Sequence, residues 1–199
     1  AMTPIIELGR QKNFIVIEDC AQAIGAEFCG KKVGTFGDYG CFSFHTHKNI
    51  TTLGEGGILA VKDGNKAERV PGTRHNGIRA YAEPRDRYWV PAMSDVDFDV
   101  DGMWPHNFCI GEAQCALGAK LLERVDDLIA KRTERALRFK SELADYSELT
   151  FQDIPYDQTT NYHLLPAKYT PQVEAKSDNN DFIEIMSRKF NVKVIVQYY

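Results

Sequence analysis

No run of apolar residues in this chain approaches the roughly 20 that a membrane-spanning helix needs, and the N-terminus lacks the apolar core of a secretory signal. Cysteine is sparse and unpaired. Cys20, Cys29, Cys41, Cys109 and Cys115 are odd in number, scattered and without a CxxC pair, which excludes a disulfide framework and points to reduced thiols in the cytoplasm. Zinc sites usually announce themselves through paired spacings, and these cysteines show none. His45 and His47 alternate on a strand-like segment, yet no third ligand follows at a recognisable spacing, so no metal site is expected. A large charge imbalance is also missing: the formal net charge is only -4, which gives no electrostatic case for nucleic acid or an anionic membrane surface. Neither GxGxxG nor a Walker loop is present, nor any internal repeat or low-complexity segment. What remains, 43% hydrophobic and 26% charged over 199 residues, describes a globular chain with room for one sizeable domain, or one and part of another.

The informative stretch runs from Phe14 to Asp63. A short apolar run, Phe14 to Ile17, ends abruptly in Glu18-Asp19. A second β-rich run, Tyr39 to Phe44, contains Ser43 and is followed by Lys48, five residues beyond Ser43. Gly54-Glu55-Gly56-Gly57 lets the backbone bend before a third strand, Ile58 to Val61. An acid at the end of one buried strand, with a hydroxyl and a lysine after another, is a site-like arrangement, because ligands of open α/β sheets gather outside the carboxyl ends of the strands.

Elsewhere, Thr3 to Lys12 reads as the end of a helix leading into the first strand, and Gly30 to Gly37 as a glycine-punctuated turn. Asp63 to Val70 is expected as a short helix stopped by Pro71-Gly72. From Thr73 to Asn107 no clear periodicity appears, which suggests a long loop serving a site. Glu112 to Lys140 reads as one long helix: Ala113, Ala116, Leu117, Leu121, Val125, Leu128 and Ile129 follow the i, i+3, i+4 pattern. Leu149 to Phe151 and Tyr162 to Ala167 are expected as strands. Asn180 to Phe190 follows as a helix with Phe182, Ile185, Met186 and Phe190 inward, and Val192 to Val196 as a last strand.

Several motifs occur together in one order: E-D-x-A-Q-A-x-G-A from Glu18, G-x-x-x-G-x-x-G-D-x-G-x-F-S-F from Gly30, Lys48-Asn49, and G-E-G-G from Gly54. This series resembles the DegT/StrS-type nucleotide-sugar aminotransferases, which use pyridoxal 5'-phosphate (PLP) and belong to the fold type I aminotransferase class. The resemblance is dense over residues 14–63 and looser to the C-terminus. It implies an α/β fold: residues 1–107 as part of a PLP-binding large domain with a mostly parallel sheet flanked by helices, and residues 108–199 as a bridging helix and part of a small α+β domain. Both ends look cut relative to the family, which implies a fragment of a longer protein.

The resemblance also assigns roles. Lys48 would hold PLP as a Schiff base and shuttle the proton; a lysine amine in a partly desolvated pocket can lose its charge and act as a nucleophile. Asp19 would face the pyridine nitrogen and keep it protonated, although an acid after a strand also suits a helix N-cap. Glu18 competes with Asp19, and the family pattern places the functional acid second. Gln22 would lie near the ring, and Ser43 would donate to the cofactor phosphate. Asn107, in a segment that resembles the family's G-x-N-F/Y-R, would reach the phosphate in a neighbouring subunit, but Cys109 stands where the family usually has arginine, a bidentate phosphate donor. Arg74-His75-Asn76-Gly77 resembles the family's R-x-H-G with two residues exchanged, and Tyr162-His163 resembles its Y-H-L segment near the substrate.

The implied activity is transfer of an amino group from an amino acid such as glutamate to a nucleotide-linked keto-sugar, in cell-surface polysaccharide or amino-sugar biosynthesis, by a homodimer. A PLP-dependent sugar dehydratase is the neighbouring alternative; there histidine replaces the lysine, and His47 beside Lys48 makes register decisive. A catalytically incomplete fragment or a regulatory relative, associating through exposed strand edges, is the non-enzymatic alternative.

Overall fold

Two short strands pair in parallel at the centre of the N-terminal half. The computed structural model describes residues 1–78, 100, 102–171 and 178–196. Helix α1 (Thr3–Lys12) carries a proline in its first turn and ends at Asn13, whose left-handed backbone (φ 56) turns the chain sharply. Asp38 then anchors the next segment, its carboxylate accepting Val16 N–H at 2.8 Å. Strand β1 (Ile17–Asp19) pairs in parallel with β4 (Tyr39–Ser43), setting Asp19 opposite Cys41. Strand β5 (Gly57–Val61) pairs antiparallel with the other edge of β4, with Ser43 opposite Gly57. The sheet order is β1-β4-β5.

Between β1 and β4 lies a hairpin, β2 (Glu27–Phe28) and β3 (Lys31–Lys32). Its free edge is completed from the distant C-terminal half by β7 (Gln158–Thr159). Two short helices follow β5: α2 (Gly64–Ala67), whose Asp63 cap accepts from Asn65 and Lys66 amides, and α3 (Val70–Arg74). Helices α4 (Glu112–Leu122) and α5 (Val125–Glu142) come next. A ladder of β6 (Leu149–Phe151) and β8 (Ala167–Tyr169) is followed by α6 (Asn179–Phe190). Among the described residues the buried apolar side chains are Cys20, Phe28, Phe44, Ile50, Ile78, Val100, Ile129 and Ala136. Helix α5 reaches the turn that leads into β2, where Ile129 sits so close to Gly25 that a Cβ there would collide with its side chain.

Six expectations change. The first strand begins at Ile17 and includes both acids, while Phe14 and Ile15 stay exposed. The single long helix is two, because Asp126 and Asp127 place negative charge where a new helix N-terminus is stabilised. Pro71-Gly72 does not stop a helix but sits inside α3, where proline in the first turn sacrifices no hydrogen bond. The strand expected over residues 162–167 is displaced to Ala167–Tyr169, since backbone groups of residues 161–163 are claimed by side chains instead. Residues 192–196 form no strand, and Ile185 and Phe190 of α6 are exposed rather than inward. Most of the loop expected from Thr73 to Asn107 lies outside the described residues.

Candidate active site

Alternation along β1 divides its two acids. Partner residues in a sheet share a face, so Asp19, Cys41 and Ser43 line one side and Glu18 the other. Glu18 is buried, and its carboxylate accepts three backbone amides, from Gly34, Phe36 and Gly37, each at 2.7 Å. It pins the glycine-rich turn under the sheet. Asp19 is exposed, with one carboxylate oxygen accepting Ala21 N–H at 3.0 Å. The buried acid is thus occupied by structure, and the exposed one is free to meet a ligand.

Ser43 ends β4 at the same end of the parallel pair. Its hydroxyl oxygen accepts His45 N–H at 3.3 Å, leaving its proton to donate elsewhere. The chain then folds over itself: Phe44 N–H bonds Gly56 O, Thr52 N–H bonds Phe44 O, and Thr46 N–H bonds Gly54 O. Buried Thr52 hydrogen-bonds Glu55 O at 2.9 Å, and its methyl packs 3.0 Å from where a Cβ on Gly118 would stand. The loop that carries Lys48 is therefore held by the Gly54–Gly56 turn on one side and α4 on the other. Lys48 is half-buried, and among the described residues its amine makes no hydrogen bond or ion pair. His47 is exposed, with its ring tilted against His45 at 5.2 Å.

The C-terminal half approaches this site through residues 160–163. Asn161 is 4% exposed. Its amide donates to Gln22 O at 2.9 Å and Ile24 O at 3.0 Å, and its carbonyl accepts His163 N–H at 3.1 Å. The Asn49 side chain donates to Asn161 O at 3.4 Å and meets His163 Nδ1 at 2.9 Å. Arg132 clamps the segment from α5, donating to Tyr162 O (2.7 and 3.1 Å) and His163 O (3.0 Å). Burial, then the nearby positive charges of Lys48 and Arg132, hold the His163 ring below the usual histidine pKa. Cys20, buried beside Glu18 and Asp19, has its thiol pushed up to about 11, mainly by burial.

Of the residues singled out from sequence, Asp19, Gln22, Ser43 and Lys48 are thus brought to one end of the sheet. Gln22 is exposed there and its backbone oxygen is tied to Asn161. Asn107 is exposed and bridges to His75, while Phe108 N–H bonds Arg74 O at 2.8 Å. Its segment is fastened to the Arg74–Gly77 turn, and among the described residues nothing joins it to Lys48, Ser43 or Asp19. Asn161 and Arg132 escaped sequence reasoning. Arg132 did leave a signal: it stands three residues from Ile129 and four from Ala136, on the buried stripe of α5, where a guanidinium must find acceptors. Asn161 left none. Among the described residues no group of three His, Cys, Asp or Glu could hold a metal, and no helix is long and apolar enough to cross a membrane.

The sheet and its helices share the fold of the fold type I PLP enzymes, as the solved structures that superpose on them show. The chain belongs to the DegT/DnrJ/EryC1/StrS aminotransferase family, matching it over residues 1–199. The family's enzymes use PLP. A GDP-perosamine synthase of Caulobacter vibrioides is 37% identical over 143 residues, which cover 72% of this chain and 34% of that protein. The aminotransferase from Psychrobacter cryohalolentis superposes with a TM-score of 0.76 at 27% identity, covering 96% of this chain and 49% of that one. The E. coli GDP-4-keto-6-deoxy-D-mannose-3-dehydratase with bound hydrated PLP shares the fold, with a TM-score of 0.69 at 20% identity over 92% of this chain and 46% of that one. The chain therefore spans about a third to a half of the length of these relatives.

Proposed function

We propose that the protein to which this chain belongs is a PLP-dependent aminotransferase that moves an amino group from an amino acid, glutamate being the expected donor, to a nucleotide-linked keto-sugar. The single observation that carries this reading is the half-buried Lys48 amine, without a hydrogen bond or ion pair among the described residues, at the sheet end that Asp19 and Ser43 share. The donor set fits PLP: a primary amine for its aldehyde, a carboxylate for its ring nitrogen and a hydroxyl for its phosphate. When bound, PLP supplies an electron-accepting ring and the carbonyl carbon that carries the amino group between substrates.

The chain's own residues do the rest. Lys48 Nζ would hold the cofactor by its aldehyde, and its amine is the group placed to move a proton at the reacting substrate carbon. Asp19 holds a proton on the ring nitrogen, while its neighbour Glu18 keeps the strand end rigid. Ser43 donates to the phosphate, and Gln22 packs beside the ring. Asn107, on a separate segment, serves the site of a second copy in a homodimer. Residues 1–107 supply the large-domain part and residues 108–199 the bridging and small-domain part. The activity belongs to amino-sugar or polysaccharide biosynthesis in the cytoplasm.

A sugar dehydratase is the second reading, favoured by the shared fold of the PLP-bound neighbour. Half-burial of Lys48 and exposure of His47 support the lysine as the site residue, which favours amino transfer. The test is an absorbance spectrum of the purified chain with PLP, then borohydride reduction and peptide mass mapping. The expected result is a new visible band and a label concentrated on Lys48, lost in Lys48→Ala. A label spread evenly over surface lysines would reject the assignment and leave a non-catalytic fragment or regulatory relative.

A further inference from the structure

We infer that His163 is a positioning residue for Lys48, acting through Asn49, with Asn161 and Arg132 fixing His163 in place. The inference deepens the aminotransferase reading and rests on it for its functional meaning. Its ground is geometric. Two segments must keep a fixed relation for the site to work: the turn after Asp19, containing Gln22, and the loop carrying Lys48. Residues 160–163 touch both.

Asn161 ties the first segment, giving its amide to Gln22 O and Ile24 O. His163 ties the second, with Nδ1 2.9 Å from Asn49 Oδ1, next in sequence to Lys48. Because that Asn49 atom only accepts, Nδ1 must carry the proton, which selects one tautomer of the neutral ring. Asn49 in turn donates to Asn161 O, so the two ties meet in one network. Asn161 spends both side-chain groups on backbone, a fully satisfied buried amide. Tyr162 between them has a left-handed backbone (φ 45), an unfavourable conformation for a tyrosine that persists only when its surroundings enforce it. The enforcement is visible in Arg132, which grips Tyr162 O and His163 O together. The arrangement delivers His163 from the C-terminal half to the loop in a single orientation. Among the described residues, the cations that face the ring are Lys48 and Arg132.

Two measurements on the 199-residue chain test this. In the first, lysine- and asparagine-labelled protein is titrated by NMR. The Lys48 ε-methylene and Asn49 side-chain amide signals should move with the midpoint of the His163 ring, and stop moving in His163→Asn. Signals that stay still while His163 titrates would overturn the inference. In the second, PLP labelling with borohydride is compared among variants whose melting curves show them folded. His163→Asn, which keeps a donor at the Nδ1 position, should retain the wild-type preference for Lys48. His163→Ala should lower it about fivefold, the scale of one lost hydrogen bond. Unchanged preference in His163→Ala would also overturn the inference. A wild-type chain with the NMR coupling but without preferred labelling would support the positioning contact and reject the aminotransferase reading, so the two fail separately.

Discussion

Glu18 and Asp19 are neighbours on β1 that face opposite sides of the sheet, one accepting three backbone amides at 2.7 Å in a buried pocket and the other exposed at the strand end. Removing the first should unfold; removing the second should disarm. Glu18→Ala strands the amides of Gly34, Phe36 and Gly37, and at about 1–3 kcal/mol for each buried unsatisfied group the loss should reach at least about 3 kcal/mol. Asp19→Asn should leave denaturant unfolding within about 0.5 kcal/mol of wild type and abolish turnover in the complete enzyme. Equal destabilisation by both would contradict this division of labour.

Cys20 should be the least reactive of the five thiols. Burial and two adjacent carboxylates push its pKa up to about 11, whereas Cys29, Cys41, Cys109 and Cys115 are exposed. Since the thiolate is the reactive form, iodoacetamide at mildly alkaline pH should alkylate the other four first. Peptide mapping against time reads this directly, and denaturant should erase the difference.

Acid should weaken the contact between the two halves through His163. Its folded pKa lies below the unfolded value of 6.5, because burial and the Lys48 and Arg132 charges disfavour the imidazolium. Between those two values the unfolded state binds the extra proton. The contribution is therefore complete above pH 6.5 and is lost as pH falls through the folded pKa. Chemical denaturation across this window should show a fall in stability for wild type that is smaller in His163→Asn. An identical slope in both proteins would refute the assignment.

Gly40 is required by contact rather than by its own backbone angle. A Cβ there would run into the Gly34 backbone, whose own left-handed φ of 83 holds the turn against the sheet. Gly40→Ala should therefore destabilise by at least about 2 kcal/mol, as overpacking against unyielding backbone does. Gly30→Ala, with open space around it but φ 72, should cost about 1 kcal/mol, from backbone strain alone. Thermal melts of the two variants would rank them.

Local signals made much of this protein legible. Apolar and aromatic runs placed Tyr39–Ser43, Gly57–Val61 and Leu149–Phe151 to within a residue, and the stretch read as a helix end, Thr3 to Lys12, is a whole helix. Those elements are decided by neighbours a few positions away, which a linear pattern records. The order of motifs from Glu18 to Gly57 likewise marks the family on its own. The break between α4 and α5 was written in Asp126 and Asp127, but an apolar stripe continuing through both helices concealed it.

Tertiary structure decided what linear spacing cannot carry. Which of Glu18 and Asp19 is free depends on the Gly34–Gly37 turn folding back to donate three amides. Whether residues 162–167 form a strand depends on Arg132 and Asn161 claiming the backbone first. The contact between Asn49 and His163 joins residues 114 positions apart, and no periodicity spans that distance. Sequence by itself determined the chemistry on offer, an amine, a carboxylate and a hydroxyl in a recognisable order. Only the fold decided which groups are spent on holding the chain together and which are left to react, because that depends on which polar groups are buried together and must satisfy one another.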